Sequence, residues 1–238
     1  MRTSILLAAT AGLALGACGQ SSAETGRTIQ RDYAVTAFDK IEVAGPFDVT
    51  VTTGGKPKVH ASGDSSLIDK MEVVVEGGTL KIRPIKRNKM FNWNFGSGKA
   101  QVAVSVPMLS EAAIAGSGGI AIDRIGGERF KGEIAGSGNL NLAAIESGLV
   151  ELSIAGSGGI KAAGKARNAS YEIAGSGDIA ARGLVTETAK VSIAGSGNVA
   201  ANATGTADVE ILGSGDVNMT GGAKCTVSKH GSGGVNCS

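Results

Sequence analysis

Apolar and polar residues alternate along most of this chain, the period expected of half-buried β-strands. From Phe38 onward, Ile41 and Val43, then Phe47, Val49 and Val51, stand two apart. The alternation is interrupted by a recurring Gly-Ser-Gly at Gly116, Gly136, Gly156, Gly175, Gly195, Gly213 and Gly231, with steps of 18 to 20 residues. Units this short cannot bury a core alone, so the period predicts stacked coils. Aligning the coils gives apolar columns. Ile114, Ile134, Ile154, Ile173, Ile193 and Ile211 precede the triplet; Ile120, Leu140, Ile160, Ile179, Val199, Val217 and Val235 follow it. Parallel stacking at about 4.8 Å turns each column into a continuous inward ladder. The expected fold is an all-β parallel β-helix (β-solenoid), with irregular first coils over 38–108 and regular repeats over 109–238.

The less regular stretches fit the same scheme unevenly. Val43-Ala44-Gly45-Pro46-Phe47-Asp48-Val49 lies over Ile173-Ala174-Gly175-Ser176-Gly177-Asp178-Ile179, and Val59 to Asp64 fits the same template. Met71 to Val75 and Thr79 to Ile85 are two strands joined by Glu76-Gly77-Gly78, either as a hairpin or as a corner of one coil. After each triplet stands Gly119, Asn139, Gly159, Asp178, Asn198, Asp216 or Gly234, residue types tolerant of left-handed backbone, which marks a bend there. The intervening serines are placed to hydrogen-bond along the stack.

Outward positions are ordered too. Glu133, Ser153, Glu172, Ser192, Glu210 and Ser228 share a column, so carboxylates occur on every second coil, roughly 10 Å apart. Lys131 falls beside Glu151, and Lys190 beside Asp208. This avoids like charges face to face and reads as a solvated wall more readily than as a row of cation sites.

The last coil departs from the pattern. Lys229 takes the position of Ile211, as expected of a terminal repeat with no neighbour beyond it. Cys225 falls in the column of Val150 and Cys237 in that of Ile122, flanking the final corner. They are expected to form a disulfide, the alternative being a pair of buried thiols.

Composition then changes the picture at the N-terminus. Arg2, the apolar run Ile5 to Leu15 and Leu15-Gly16-Ala17-Cys18 form a secretory leader over 1–17, with Cys18 in a lipobox-like position for acylation. An ordinary leader with an incidental Cys is the alternative. Residues 18–37 read as a flexible tether. Gly19 after the cysteine favours an outer-membrane lipoprotein, on a periplasmic or surface face. Gly is abundant, at 38 residues, but Pro is only 4 and aliphatics are plentiful, excluding collagen and disorder. Formal net charge is +2, which offers no electrostatic footprint for nucleic acid.

Candidate chemistry is sparse. Ala115 occupies the first position of what would be a nucleophile elbow, and no P-loop or metal-ligand spacing occurs. His60 and His230 stand apart in repeat-corner contexts, and the acids are dispersed where a polysaccharide-cleaving β-helix would cluster them. The sequence therefore reads as non-enzymatic, with no cofactor and no metal. One stretch escapes the repeat: Lys86, Arg87, Lys89, Phe91, Trp93 and Phe95, cationic and aromatic with no acid between them. Such a patch can stack on sugars or meet anionic headgroups. It can equally fold over a solenoid face and protect an edge.

Together these features resemble the auto-transporter adhesin head GIN domain family. Phe38-Asp39-Lys40-Ile41-Glu42-Val43, Val75 to Ile82, Val106-Pro107-Met108-Leu109 and the serial Ala-Gly-Ser-Gly corners carry the resemblance, over about residues 35–238. It implies a right-handed parallel β-helix, exported and often lipid-anchored, and supplies no catalytic residues. The expectation is an adhesin-like envelope lipoprotein held to the membrane by its lipid, with an envelope glycan, surface or protein partner and open ends that permit self-association. A purely structural element and a glycan-active enzyme are the alternatives.

Overall fold

The computed structural model describes residues 27–85 and 99–238. The leader, Cys18 and the basic-aromatic segment 86–98 lie outside the described residues. In chain order the elements are β1 (Thr28–Tyr33), β2 (Lys40–Ala44), β3 (Asp48–Thr53), β4 (Lys58–Asp64), α1 (Ser65–Ile68), β5 (Met71–Glu76), β6 (Thr79–Pro84), β7 (Ala100–Val106), β8 (Glu111–Gly116) and β9 (Gly119–Ile122). Long bent strands follow: β10 (Ile125–Gly136), β11 (Asn139–Gly156), β12 (Gly159–Gly175), β13 (Asp178–Gly195) and β14 (Asn198–Gly213). Short β15 (Val217–Thr220), β16 (Lys224–His230) and β17 (Val235–Cys237) close the stack. The chain is a β-solenoid of about six turns with coils of roughly 20 residues.

The columns read from the sequence are the observed register. Ile114, Ile134, Ile154, Ile173, Ile193 and Ile211 pair in succession on one face, and all six are buried. On the second face Ile120, Leu140, Ile160, Ile179, Val199 and Val217 do the same. A third side opens with Ile125, Ile145, Gly164 and Leu184 in register. The register shifts between Ala181 and Val185, which absorbs the shorter step of the next coil and leaves Val185 partly exposed. Tyr171 fills the column between Leu152 and Val191. Its hydroxyl has no partner, and burial pushes the phenol's pKa up.

The corners explain the glycines. The first glycine of each triplet has positive φ, +133° at Gly175 for example. A Cβ at Gly175 would stand 2.3 Å from the carbonyl oxygen of Gly156 one coil earlier, and at Gly195 2.1 Å from that of Gly175. The second glycine is not strained, but a Cβ at Gly177 would meet the Gly158 carbonyl at 2.6 Å and Ile154 Cγ2 at 2.7 Å. The residues after the triplet begin extended strands, so the left-handed turn sits at the first glycine. The serine between them contributes its backbone: Ser157 N donates to Gly136 O at 2.9 Å and Ser176 N to Gly156 O at 2.8 Å.

The first coils are arranged differently from the expected succession. β2 pairs in parallel with β8 on one side and β6 on the other, and β3 likewise with β9 and β7. The coil made of β6 and β7 is thus laid outside β2 and β3, and the chain crosses back before the regular repeats begin. The overlay of Val43 to Val49 on a regular corner holds, since Val43 pairs with Ile114 and Asp48 with Gly119. The overlay of Val59 to Asp64 fails: β4 runs antiparallel to β7. Met71 to Ile85 is a hairpin, β5 antiparallel to β6, with φ of +58° and +78° at Gly77 and Gly78. Two positive angles in a row suit a turn that matches strand twist.

The tether expected over 18–37 is in part a strand. β1 pairs antiparallel with β4, Asp32 opposite His60. Period-two burial is absent from this edge strand, so the pattern could not announce it. The cap is edged with charge, which discourages further strand addition. Arg83 meets Glu72 at 2.7 Å, Lys81 meets Glu76 at 2.9 Å, and Arg31 meets Asp69 at 2.6 Å.

Two outcomes follow from this geometry. Gly175→Ala should destabilise the domain by at least about 1–3 kcal/mol, from a strained backbone angle and a clash. Ser176→Ala should stay within about 0.5 kcal/mol of wild type; chemical denaturation compares them. Separately, the His60 hydrogen bond holds the Asp32 carboxyl below its ordinary value of 3.8. A depressed carboxyl stabilises the fold above that value and ceases to do so as pH falls through the lower folded-state value. Asp32→Asn should therefore loosen β1 near neutral pH, measured by proteolysis ahead of Tyr33, and the difference from wild type should vanish in acid.

Candidate interaction surfaces

The outer wall of the first face is a charge-compensated surface. Glu133, Ser153, Glu172, Ser192, Glu210 and Ser228 stand in register as the spacing implies. Lys131 is opposite Glu151 in register, yet its ammonium reaches Glu133 within its own strand at 2.8 Å. That hydrogen bond raises the Lys131 pKa. Glu151 accepts instead from Arg129 Nε at 2.8 Å, and Lys40 meets Glu111 at 3.2 Å. Exposed pairs of this kind contribute little stability individually. Among the described residues no group of three or more His, Cys, Asp or Glu is placed to hold a metal ion.

The second face carries a different order. After the corners, Asp178, Asn198, Asp216 and Gly234 form one outward column. Asp178 Oδ1 accepts from Asn198 N at 3.2 Å and Nδ2 at 2.8 Å, Asn198 Oδ1 from Asp216 N at 3.2 Å, and Asp216 Oδ1 from Gly234 N at 2.6 Å. Each side chain is thereby held along the solenoid axis by the backbone of the next coil. Beside them runs a shallow groove of about 680 Å³, which reaches Arg182, Asn218 and Asn236. Ala180 and Ala200 line it, in the column where Asn141 and Lys161 stand two coils earlier. This groove was missed in the sequence: Ala180 and Ala200 share their outward column with Ala121, so the column gave no distinct signal. A smaller groove of about 360 Å³ on the third side lies among Glu146, Lys165, Arg167 and Glu187.

Cys225 and Cys237 are joined in a disulfide with Cα atoms 6.6 Å apart, inside the range such bonds require. The bond ties the last strand of the first face to that of the second. Lys229 Nζ donates to Gly233 O at 2.7 Å, so the substituted inward position bonds across the final corner. Val227 remains about half exposed, at 47%, because no coil covers it. Of the two histidines, His60 Nδ1 lies 2.9 Å from Asp32 Oδ1, and His230 is exposed on the last coil.

Cys18 and Lys86, Arg87, Lys89, Phe91, Trp93 and Phe95 lie outside the described residues, but their points of attachment do not. Ile85 N donates to Lys70 O at 2.8 Å, Asp64 N to Lys99 O at 3.0 Å and Ser65 N to Arg27 O at 2.9 Å. All three chain exits therefore sit around α1, at the capped end. The segment between Ile85 and Lys99 joins the first face to the second, where other coils carry a tight corner, and it contains Gly96-Ser97-Gly98.

The family model described as "Putative auto-transporter adhesin, head GIN domain" matches residues 37–223. The chain belongs to this family. The match ends before Cys225, so the disulfide-bearing coil lies beyond the part the family model describes. No curated protein matches the sequence. Among solved structures, a "putative adhesin" of Bacteroides fragilis NCTC 9343 shares 25% identity with a TM-score of 0.79, over 89% of this chain and 97% of that one. A "putative lipid binding protein" of Parabacteroides distasonis ATCC 8503 shares 28% identity with a TM-score of 0.72, over 90% and 97%. A "putative adhesin" of Parabacteroides merdae ATCC 43184, at 20% identity and a TM-score of 0.71, shares the fold. Among the described residues of this head GIN domain no helix is long and apolar enough to cross a membrane.

The disulfide should matter locally. Replacing both cysteines with serine should cost about 2–3 kcal/mol, read as faster hydrogen exchange in β16 and β17 with β10 to β12 unchanged.

Proposed function

We propose that this head GIN domain is a non-enzymatic adhesion module of the bacterial envelope, exported, acylated at Cys18 and anchored in the outer membrane. The observation that carries this reading is the gathering of three chain exits at one end. The nine residues from Cys18 to Arg27 reach at most about 30 Å, so an acylated cysteine keeps the α1 end close to the bilayer. The segment holding Lys86, Arg87, Lys89, Phe91, Trp93 and Phe95 leaves from that same end. Cations attracted to anionic headgroups and aromatics seated at the interface suit that position. The relative named for lipid binding adds support. The solenoid centre is filled by its own ladders, so lipid would be met on the outside. The far end, about 43 Å away across nine strand spacings, is then presented to whatever the module contacts.

Co-sedimentation with phosphatidylglycerol vesicles tests the arrangement. Trp93→Ala with Phe95→Ala should reduce vesicle binding of the unacylated protein severalfold and leave its thermal midpoint unchanged. Binding equal to wild type would remove the segment from the membrane contact. Protease treatment of intact cells then reports the face: cleavage places the domain on the cell surface, protection places it in the periplasm.

A further inference from the structure

We propose that the groove on the second face, over the last four coils, binds an extended, uncharged glycan lying along the solenoid axis. The proposal rests on the reading of the chain as an adhesion module and names its ligand class. The polar lining is Asp178, Arg182, Asn198, Asp216, Asn218 and Asn236. Asparagine amides donate and accept, carboxylates accept, and the Arg182 guanidinium offers five N–H donors. Sugar hydroxyls, which do both, are the complement of such a mixture. The lining is also held in advance. Asp178, Asn198 and Asp216 each spend one oxygen on a backbone N–H of the next coil. Among the described residues, the second carboxylate oxygens and one amide hydrogen of Asn198 make no further bond, at a repeat of about 4.8 Å. Groups fixed before binding lose little freedom when a ligand arrives.

The structural service of these three side chains does not account for the rest of the groove. Gly119, Gly159 and Gly234 stand in the same column without side chains, so the corner can be built without Asp or Asn. Nor does it account for the floor. Ala180 and Ala200 make a trough two coils long where Lys161 would obstruct it. A peptide finds poor purchase here. The groove runs across the face of a paired sheet, meets an edge strand only at β17 where it ends, and has no aromatic residue in its lining. The lining carries two carboxylates against one guanidinium, which disfavours polyanions. An unbranched β-1,4-linked chain advances per sugar by a distance close to the coil spacing, so each coil can meet one sugar, with alternate sugars turned over; a lining of groups that both donate and accept suits either orientation.

The test is a titration of full-length, 15N-labelled protein in detergent micelles with cellohexaose and, separately, chitohexaose. Shifts confined to backbone amides of β13, β14, β15 and β17 with either sugar are the expected result. Ala180→Lys should weaken binding about tenfold or more with an unchanged thermal midpoint, since Lys161 is accommodated in the same column. Asn218→Ala with Asn236→Ala should weaken it as well, by loss of contacts instead of obstruction. No shifts with either sugar, or shifts that survive both variants, overturn the proposal. Vesicle binding is read at the opposite end of the molecule. Its persistence with a failed titration would sink the glycan groove alone, and its loss with a successful titration would sink the membrane arrangement alone.

Discussion

The closest constraint in this molecule is a backbone contact: a carbonyl oxygen at one corner pressed against the α-carbon of a glycine in the coil above. At Gly195 and Gly213 there is room for a hydrogen and nothing more, since a Cβ would stand 2.1 Å from the oxygen below. This contact holds consecutive corners in line, and the isoleucines that flank them are carried into register with it. The inward ladders supply the stabilisation, because burial of aliphatic surface is the dominant favourable term. Their alignment, however, is decided at the corners. A sequence with the same aliphatics and no glycine pair could bury as much and stack less uniformly.

The two ends are finished by different means. At the first, antiparallel strands β5, β4 and β1 cover the parallel coils and bring charged edges with them. At the last, the coils simply stop, and one disulfide and one lysine across the final corner take the place of a further neighbour. The lysine at the position of Ile211 donates across the final corner to Gly233 O, which sets the last coil apart from those before it. The polarity agrees with the proposed function: chain exits and basic-aromatic segment together at one end, polar groove toward the other.

Much of this was legible in the chain. Spacing placed the isoleucine columns and the meeting of Cys225 with Cys237, because each follows from a local period carried forward, and the corner at Gly45 was legible from its likeness to the regular corners. The cap was not legible. β4 mimics a corner in Val59 to Asp64 but pairs antiparallel, a choice decided by β7 forty residues later. β1 has no alternation because it is an edge strand with both faces largely in water. The groove was hidden for another reason: its floor is formed by Ala180 and Ala200, and alanine also stands at Ala121 in the same column, so nothing marks these two apart. The charged wall was read correctly as a balanced surface, though the partners differ. Lys131 finds Glu133 along its own strand before it finds Glu151 across the ladder.

The placement of β2 and β3 between two later coils has a consequence for how the chain assembles. A solenoid built in sequence order can grow from its first coil, each new turn adding to a finished surface. Here the first turn has both of its flanks supplied by segments that leave the ribosome only afterwards. Until β6 and β7 have followed, β2 and β3 have both edges unpaired, and until Ile122 has followed, one. Contacts that join residues this far apart slow folding through the loops they must close. A late start of that kind makes the first turn wait on coils that come after it in the chain.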